Sequence, residues 1–206
     1  MESCNFSTLV VLIGVLVLCT EMKAFSASGA TNTYNTTKYT QFIQTSCNET
    51  TYPQLCVKSL SSYSNKIKAN PQKLAYTALS LSLKSAKNTS SVVSKLSQQS
   101  NLKRNERAAI KDCVENISES IDELRQSVKE IKTLNATQLD YKMSNIMTWV
   151  SAALTDDDTC LEGLDEETVK GKIKDTVSKN VLNIAQMTSN ALALVNSLNF
   201  TQLYSR

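Results

Sequence analysis

The chemistry open to this sequence is limited first by a residue type that it lacks. The 206 residues include no histidine, so the chain cannot supply an imidazole base, a Ser-His-Asp or Cys-His nucleophile pair, or a zinc site with a histidine ligand. Its four glycines and two prolines are too few for Gly-rich phosphate loops or for the many tight turns of an all-β sandwich. Most familiar hydrolase mechanisms are therefore excluded, and the composition predicts a mostly helical protein.

The densest cluster of possible metal ligands is the acidic run Asp156-Asp157-Asp158. Neighbouring carboxylates can hold a hard cation, but a calcium loop spaces its ligands around a central glycine and closes with a glutamate, and this run does neither. We therefore expect a solvated helix end here and no metal or other cofactor. The remaining acidic residues fall on expected polar faces without the cleft of a glycosidase, so we do not expect an enzyme.

An apolar run from Leu9 to Cys19 has the length of the hydrophobic region of a signal peptide and is too short to span a bilayer. Small residues follow it, so we expect a signal peptide over residues 1–27, with cleavage between about residues 24 and 30. The segment before the run carries no Lys or Arg, which is unusual for such a leader. No membrane helix is expected in the mature chain, because no later apolar run is long enough.

Removal of this leader leaves four cysteines, Cys47, Cys56, Cys113 and Cys160. An even number in an exported chain is typical of a disulfide framework. The gaps between them do not suit a zinc site, whose cysteines come in closely spaced pairs. Three pairings are possible from the residues alone, and the pairing of sequence neighbours is the simplest.

Sequons of the form Asn-x-Ser/Thr also favour export. The chain's formal charge of +3 is spread without arginine clusters, so no nucleic-acid partner is expected. The N-glycosylation candidates of the mature region are Asn35, Asn48, Asn88, Asn116, Asn135 and Asn199.

Helical periodicity accounts for most of the remaining sequence. Residues 28–38, rich in Thr, Asn and Tyr, predict a flexible start. Residues 39–66 predict an N-terminal helical hairpin, in which Pro53 suits a first helical position. Residues 67–206 then carry four longer stripes of apolar residues spaced three or four apart.

The first of these stripes includes Leu81 and Val92 and opens at the cap Asn70-Pro71. The third helix is expected to end around the acidic run 155–159, and the fourth to open at Asp165. Long helices joined by short loops predict an all-α fold, an up-down-up-down four-helix bundle that forms one domain with the hairpin. The four stripes run from Leu74 to Leu96, Ile110 to Ile131, Met143 to Ala153 and Val169 to Leu198.

In addition to this pattern, several short sequence motifs resemble those of a known protein family. Between about residues 39 and 198 the chain resembles the plant invertase and pectin methylesterase inhibitor family. That resemblance implies a secreted helical bundle with disulfides Cys47–Cys56 and Cys113–Cys160, which binds its target enzyme non-covalently over the pectin-binding cleft in the cell wall. The strings are Cys47-Asn-Glu-Thr-Thr-Tyr-Pro-Gln-Leu-Cys56, Ile110-Lys-Asp-Cys113, Thr148-Trp-Val-Ser-Ala-Ala-Leu-Thr155, Cys160-Leu-Glu-Gly163 and Ser189-Asn-Ala-Leu-Ala193.

A missing motif indicates which of the family's target enzymes this chain is expected to inhibit. Invertase inhibitors of the family carry a Pro-Lys-Phe tripeptide, which this chain lacks, so the resemblance favours pectin methylesterase over cell-wall or vacuolar acid invertase. A second alternative is a structural wall protein that binds pectin directly through its positive charge. The family's module also precedes pectin methylesterase catalytic domains, and because this chain stops at Arg206 we expect a free-standing inhibitor.

One acidic strip is a candidate contact with the target. Glu115, Glu119 and Asp122 lie three or four residues apart, opposite the second apolar stripe, and so share a helix face. The resemblance places helices of this region against a cleft that contains catalytic aspartates. Because like charges would then face each other, we expect binding to tighten as the pH falls from 7 toward 5.

Overall fold

The computed structural model describes residues 28–166, 169 and 171–198, of which residues 28–34, 136 and 166 are described through their backbone only. The expected signal peptide and the sequon at Asn199 lie outside these residues. Contacts divide the chain into two units, Met1–Thr37 and Lys38–Arg206. Among the described helices, none is long and apolar enough to cross a membrane.

The described residues form helices and contain no strand, which confirms the all-α class. Two short 3₁₀ turns, Ser61–Tyr63 and Ala136–Gln138, join the helices. The helices are α1 (Ser28–Asn48), α2 (Pro53–Leu60), α3 (Ser64–Ile67), α4 (Pro71–Ser97), α5 (Arg104–Ile131), α6 (Leu139–Glu166) and α7 (Gly171–Asn196).

Helices α4 to α7 form the four-helix bundle. Each packs against the next in sequence, and α7 packs back against α4. The short connections make neighbouring helices antiparallel, so the order is up, down, up, down. The core contains Leu79 of α4, Ile117 of α5, Val150 of α6 and Val181 of α7, all fully buried. The predicted architecture is confirmed.

The N-terminal hairpin packs beside this bundle through α2, which contacts α4 and α7. Its second helix begins at Pro53, as predicted, because a proline at the first helical position sacrifices no helical hydrogen bond. The prediction of a flexible start over 28–38 differs from the structure, in which α1 already begins at Ser28. Thr and Asn have only moderately unfavourable helix propensities, so the helix extends beyond its apolar positions.

An asparagine side chain caps the start of α4 as the sequence predicts, and another caps the 3₁₀ turn before α6. The Asn70 Oδ1 accepts a hydrogen bond from the backbone N–H of Lys73 at 2.8 Å. The Asn135 Oδ1 accepts one from the N–H of Gln138 at 3.2 Å, although it opens a 3₁₀ turn rather than α6 itself. Each satisfies an amide that the first turn of a helix leaves without a carbonyl.

The buried face of α4 is rotated relative to the predicted stripe. Val92 is exposed and Leu81 only partly buried, whereas Val93, Ala86 and Ser82 are buried. Since α4 packs against both α5 and α7, its buried face is wide, and small residues occupy the close approaches. A search for large apolar residues misses those positions.

The predicted boundary between the third and fourth helices is wrong. Helix α6 continues through the acidic run to Glu166, so Asp165 ends this helix instead of opening the next. Helix α7 begins at Gly171, whose φ of 74° is a left-handed value that glycine adopts without strain. An Asp inside a helix is less favourable than Ala by at most about 0.7 kcal/mol, which burial of Cys160 and Leu164 outweighs.

Candidate functional site

Four cysteines among the described residues form two disulfides, Cys47–Cys56 and Cys113–Cys160, with Cα–Cα distances of 5.6 and 4.5 Å. These are the pairs that the resemblance implies. All four cysteines are buried. The first disulfide joins α1 to α2, and the second joins the start of α5 to the second half of α6. Each disulfide therefore links two neighbouring helices covalently.

An asparagine connects the hairpin to the bundle. The Asn190 Oδ1 accepts a hydrogen bond from the backbone N–H of Tyr52, and its Nδ2 donates one to the backbone carbonyl of Tyr52, each at 2.9 Å. Ser189 Oγ donates to Thr51 Oγ1 at 3.3 Å. Two of the strings that carry the family resemblance, 138 residues apart, thus meet in space. Sequence reasoning identified both strings but not their contact.

The acidic strip predicted on α5 exists as an exposed face. Glu115, Glu119 and Asp122 are all exposed to solvent. Asp122 forms an ion pair with Arg125 one turn further along the helix. The strip is therefore available to a partner, but part of its negative charge is already balanced by this arginine.

Asp156 of α6 and Glu123 of α5 extend the acidic surface toward the bundle interior. Asp156 is half-buried, and burial raises the pKa of its carboxyl to about 6, with further contributions from Glu119 and Glu123 on α5. Burial also raises the pKa of Glu123, and neighbouring Asp122 adds to this increase. A group with a pKa near 6 changes charge between pH 5 and 7, whereas an ordinary carboxylate does not. Asp156 is thus the group on this surface most responsive to mild acid.

Asp157 is fully buried between α5 and α6, in contrast to the predicted solvated helix end. Neither of its carboxyl oxygens has a hydrogen-bond partner among the described residues, and the same is true of the Ser120 Oγ. Burial raises the pKa of Asp157 to about 8, an effect that Ser120 reduces and Asp156 and Asp158 increase. The side chain is consequently protonated at neutral pH.

A signal for this burial was present in the spacing. The apolar positions Ile146, Val150 and Ala153 continue in steps of four and three to Asp157 and Cys160. Because the acidic run 155–159 predicts a helix end, sequence reasoning places Asp157 in solvent. No Cys, Asp or Glu cluster among the described residues has an arrangement that could hold a metal ion.

The sequons differ in their surroundings. Asn35, Asn48 and Asn88 are exposed, whereas Asn116 is only partly so. Asn135 is exposed, but its side chain is engaged as a cap. Asn116 lies on α5 beside Glu115, so a glycan there would shield part of the acidic strip.

This arrangement defines a class of protein: a disulfide-braced helical bundle whose candidate functional residues form surfaces rather than a catalytic cluster. Residues 41–194 match the family described as plant invertase/pectin methylesterase inhibitor. The chain belongs to this family of inhibitors.

Individual relatives agree with this placement. The chain is 45% identical over 202 residues to pectinesterase inhibitor 9 of Arabidopsis thaliana, with 95% of each protein covered. It is 44% identical over 174 residues to pectinesterase inhibitor 10 of the same plant, covering 83% of this chain and 55% of that protein. A crystal structure of a mutant form of a pectin methylesterase inhibitor from Arabidopsis superposes with a TM-score of 0.62 and 24% identity. This match covers 76% of this chain and 97% of the other, and supports the fold.

Proposed function

We propose that this protein inhibits a pectin methylesterase by forming a non-covalent complex that covers the enzyme's pectin-binding cleft. The observation that carries this proposal is the similarity to pectinesterase inhibitor 9 along 95% of both chains. The absence of histidine supports inhibition by binding rather than by chemistry. A bundle braced by two disulfides supplies a surface that loses little conformational entropy when it binds.

The proposed place of action is outside the cell, in the cell wall, after removal of residues 1–27. Two disulfides support this location, because such bonds persist in oxidising compartments and are rare in the cytosol. N-terminal sequencing of the secreted protein locates the cleavage point, for which we expect a bond between about residues 24 and 30.

The proposed contact includes the acidic strip Glu115, Glu119 and Asp122, together with Asp156 beside it. Against a cleft with catalytic aspartates, these carboxylates repel the target while they are ionised. Since the pKa of Asp156 is about 6, its charge falls between pH 7 and pH 5. Inhibition is therefore tighter at the lower pH.

Titration of purified plant pectin methylesterases and an acid invertase with the secreted protein tests the target. We expect residual esterase activity to fall to a plateau at one inhibitor per enzyme, and a complex to elute in gel filtration without pectin. Inhibition of invertase alone would reject the assignment. Loss of esterase inhibition in moderate salt, without a complex, would instead indicate coating of the substrate.

The contact surface is tested by the dissociation constant at pH 5 and pH 7.5. We expect the triple variant Glu115→Gln, Glu119→Gln, Asp122→Asn to bind more tightly at both pH values, and Asp156→Asn to lose most of the pH dependence. The matched control is Glu49→Gln, Asp140→Asn, Asp175→Asn, which removes the same charge from exposed positions elsewhere. A triple variant that binds no more tightly than the control would place the contact on another face.

A further inference from the structure

A groove with a volume of about 620 Å³ opens where the hairpin segment meets the bundle. Its walls come from residues 63–70, the first half of α4 and the end of α5. This volume is within the range of about 300–1,000 Å³ typical of small-ligand sites. We call it the lysine groove, after the four side chains Lys66, Lys73, Lys84 and Lys132 that line it.

The charge of the lysine groove is not balanced from within. No Asp or Glu is among its lining residues, and all four lysines are exposed. Among the described residues, none of these lysines forms an ion pair with a carboxylate. Four positive charges in one concave surface attract an anion more strongly than the same charges spread over a convex one.

Aromatic rings restrain two of these lysines. The Lys66 ammonium lies 5.7 Å from the ring centre of Tyr63, and the Lys132 ammonium lies 5.2 Å from that of Tyr76. Both distances are within the range of cation–π contacts. A lysine already held in place loses less conformational entropy when a ligand binds, so the groove is partly pre-organised.

The walls of the groove are also tied together. The Gln72 Nε2 of α4 donates a hydrogen bond to the Ile131 carbonyl of α5 at 2.8 Å. Asn70 caps the first turn of α4 through the Lys73 amide. These hydrogen bonds hold part of the lining in place before a ligand binds.

Hydroxyl oxygens complement the ammonium groups. Thr77 and Ser80, which line the groove, donate their hydroxyl protons to the carbonyls of Lys73 and Tyr76, at 2.6 and 2.7 Å. Each oxygen keeps lone pairs that can accept from a ligand. The groove thus offers donors for carboxylates and acceptors for hydroxyls, which is the complement of an acidic sugar rather than of a simple polyanion.

We propose that the lysine groove binds a stretch of de-esterified pectin, a polyuronate whose sugar rings carry free carboxylates and hydroxyls. For the source of this ligand, the inference rests on the proposed function, since hydrolysis of the methyl esters of pectin produces these carboxylates. The groove would then retain the inhibitor on wall polymer that the esterase has already processed. Retention and enzyme inhibition use different surfaces, so they can be measured separately.

Calorimetric titration of the whole secreted protein with an unesterified oligogalacturonide, in the absence of any enzyme, tests the groove. A fully methyl-esterified oligomer of equal length and a polyglutamate of equal charge are the comparison ligands. We expect saturable binding of the unesterified oligomer alone. A variant with all four groove lysines changed to Gln should bind at least about tenfold more weakly, as expected for four partly exposed charge contacts.

The matched control is the quadruple variant Lys87→Gln, Lys95→Gln, Lys111→Gln, Lys179→Gln, which removes the same charge from exposed positions outside the groove. We expect it to bind within about twofold of wild type. A second variant, Tyr63→Leu with Tyr76→Leu, keeps apolar volume but removes the rings, and we expect an affinity loss of about threefold or more. Circular dichroism confirms that each variant is folded.

Three results would overturn the proposal: no binding of the unesterified oligomer, equal losses in the groove and control variants, or equal affinity for polyglutamate. The last would identify a general polyanion surface. The same variants, assayed for esterase inhibition on soluble substrate, separate the two functions. Binding without inhibition rejects the proposed function alone, and inhibition without binding rejects only the groove.

Discussion

Two buried polar side chains of this bundle, Asn190 and Asp157, have opposite surroundings. Asn190 is 4% exposed, and both its amide oxygen and its amide nitrogen are bonded to Tyr52. Asp157 is 0% exposed, and neither carboxyl oxygen has a partner in the described part of the chain. A disulfide lies beside each: Tyr52 is inside the Cys47–Cys56 loop, and Asp157 is one helical turn before Cys160.

Asn190 and Asp157 show two different consequences of burying polar atoms. A satisfied amide fixes the position of the hairpin on the bundle, and its contribution does not depend on pH. An unpaired carboxyl is buried only in its neutral form, so its contribution depends on pH. The hairpin contact is therefore a constant attachment, whereas the α5–α6 interface responds to acidity.

The largest expected effect comes from the disulfide beside Asp157. Chain-entropy estimates give about 4 kcal/mol for the loop closed by Cys113 and Cys160, against about 3 kcal/mol for that closed by Cys47 and Cys56. We expect the double variant Cys113→Ser, Cys160→Ser to lose more unfolding free energy in urea than Cys47→Ser, Cys56→Ser. Equal or reversed losses would show that loop length does not govern the two regions. Non-reducing peptide mapping of the wild type verifies the pairs.

The next largest effect is the pH dependence carried by Asp157. Its pKa is about 8 in the folded chain, against 3.8 for an exposed aspartate, so the folded state binds more protons than the unfolded state between these two pH values. Stability contributed by this residue is therefore greatest below about pH 4 and falls as the pH rises to about 8, by up to about 1.4 kcal/mol per pH unit. Asp157→Asn should remove this slope.

The measurement is the free energy of unfolding from urea titrations at pH 5 and pH 7.5. We expect the loss of unfolding free energy between these two pH values to be about 3 kcal/mol larger for wild type than for Asp157→Asn. Asp158→Asn is the matched control, since Asp158 is the exposed neighbour in the same run. Equal slopes for wild type and Asp157→Asn would mean that the carboxyl reaches water.

The amide contact of the hairpin should show the opposite behaviour. Asn190→Ala removes two hydrogen bonds to Tyr52, for which we expect a loss of about 2 kcal/mol of unfolding free energy. The loss should be the same at pH 5 and pH 7.5, since no titratable group takes part. Ser189→Ala, which removes only the 3.3 Å bond to Thr51, is the control and should lose less than about 0.5 kcal/mol. A pH-dependent loss at Asn190 would remove the distinction between the two regions.

Sequence reasoning succeeded where the apolar period was unbroken and failed where a polar residue interrupted it. The stripe of α5 predicts its buried face because Ile110, Ile117, Leu124 and Ile131 repeat every seven residues. At Asp157 the same period continues through a carboxylate, and the residue type suggested a helix end. The partner of Asn190, 138 residues away, could not be found from local pattern, because only the packed fold brings them together.

The smallest expected effect compares two buried serines of α5. Ser120 Oγ has no partner among the described residues and faces Asp157, whereas Ser127 Oγ donates to the Glu123 carbonyl at 3.0 Å. Since Ser120 lowers the pKa of Asp157, Ser120→Ala should raise that pKa further. The decrease in unfolding free energy with rising pH should then continue to a higher pH. The effect of Ser120→Ala on the free energy of unfolding at pH 5 should stay below about 0.5 kcal/mol, because Ser120 favours the charged form of Asp157, which is neutral at that pH. Ser127→Ala should lose about 1 kcal/mol of unfolding free energy without changing how that free energy depends on pH. If the pH dependence of the unfolding free energy is unchanged in Ser120→Ala and shifted in Ser127→Ala, the hydroxyl of Ser120 does not act on Asp157.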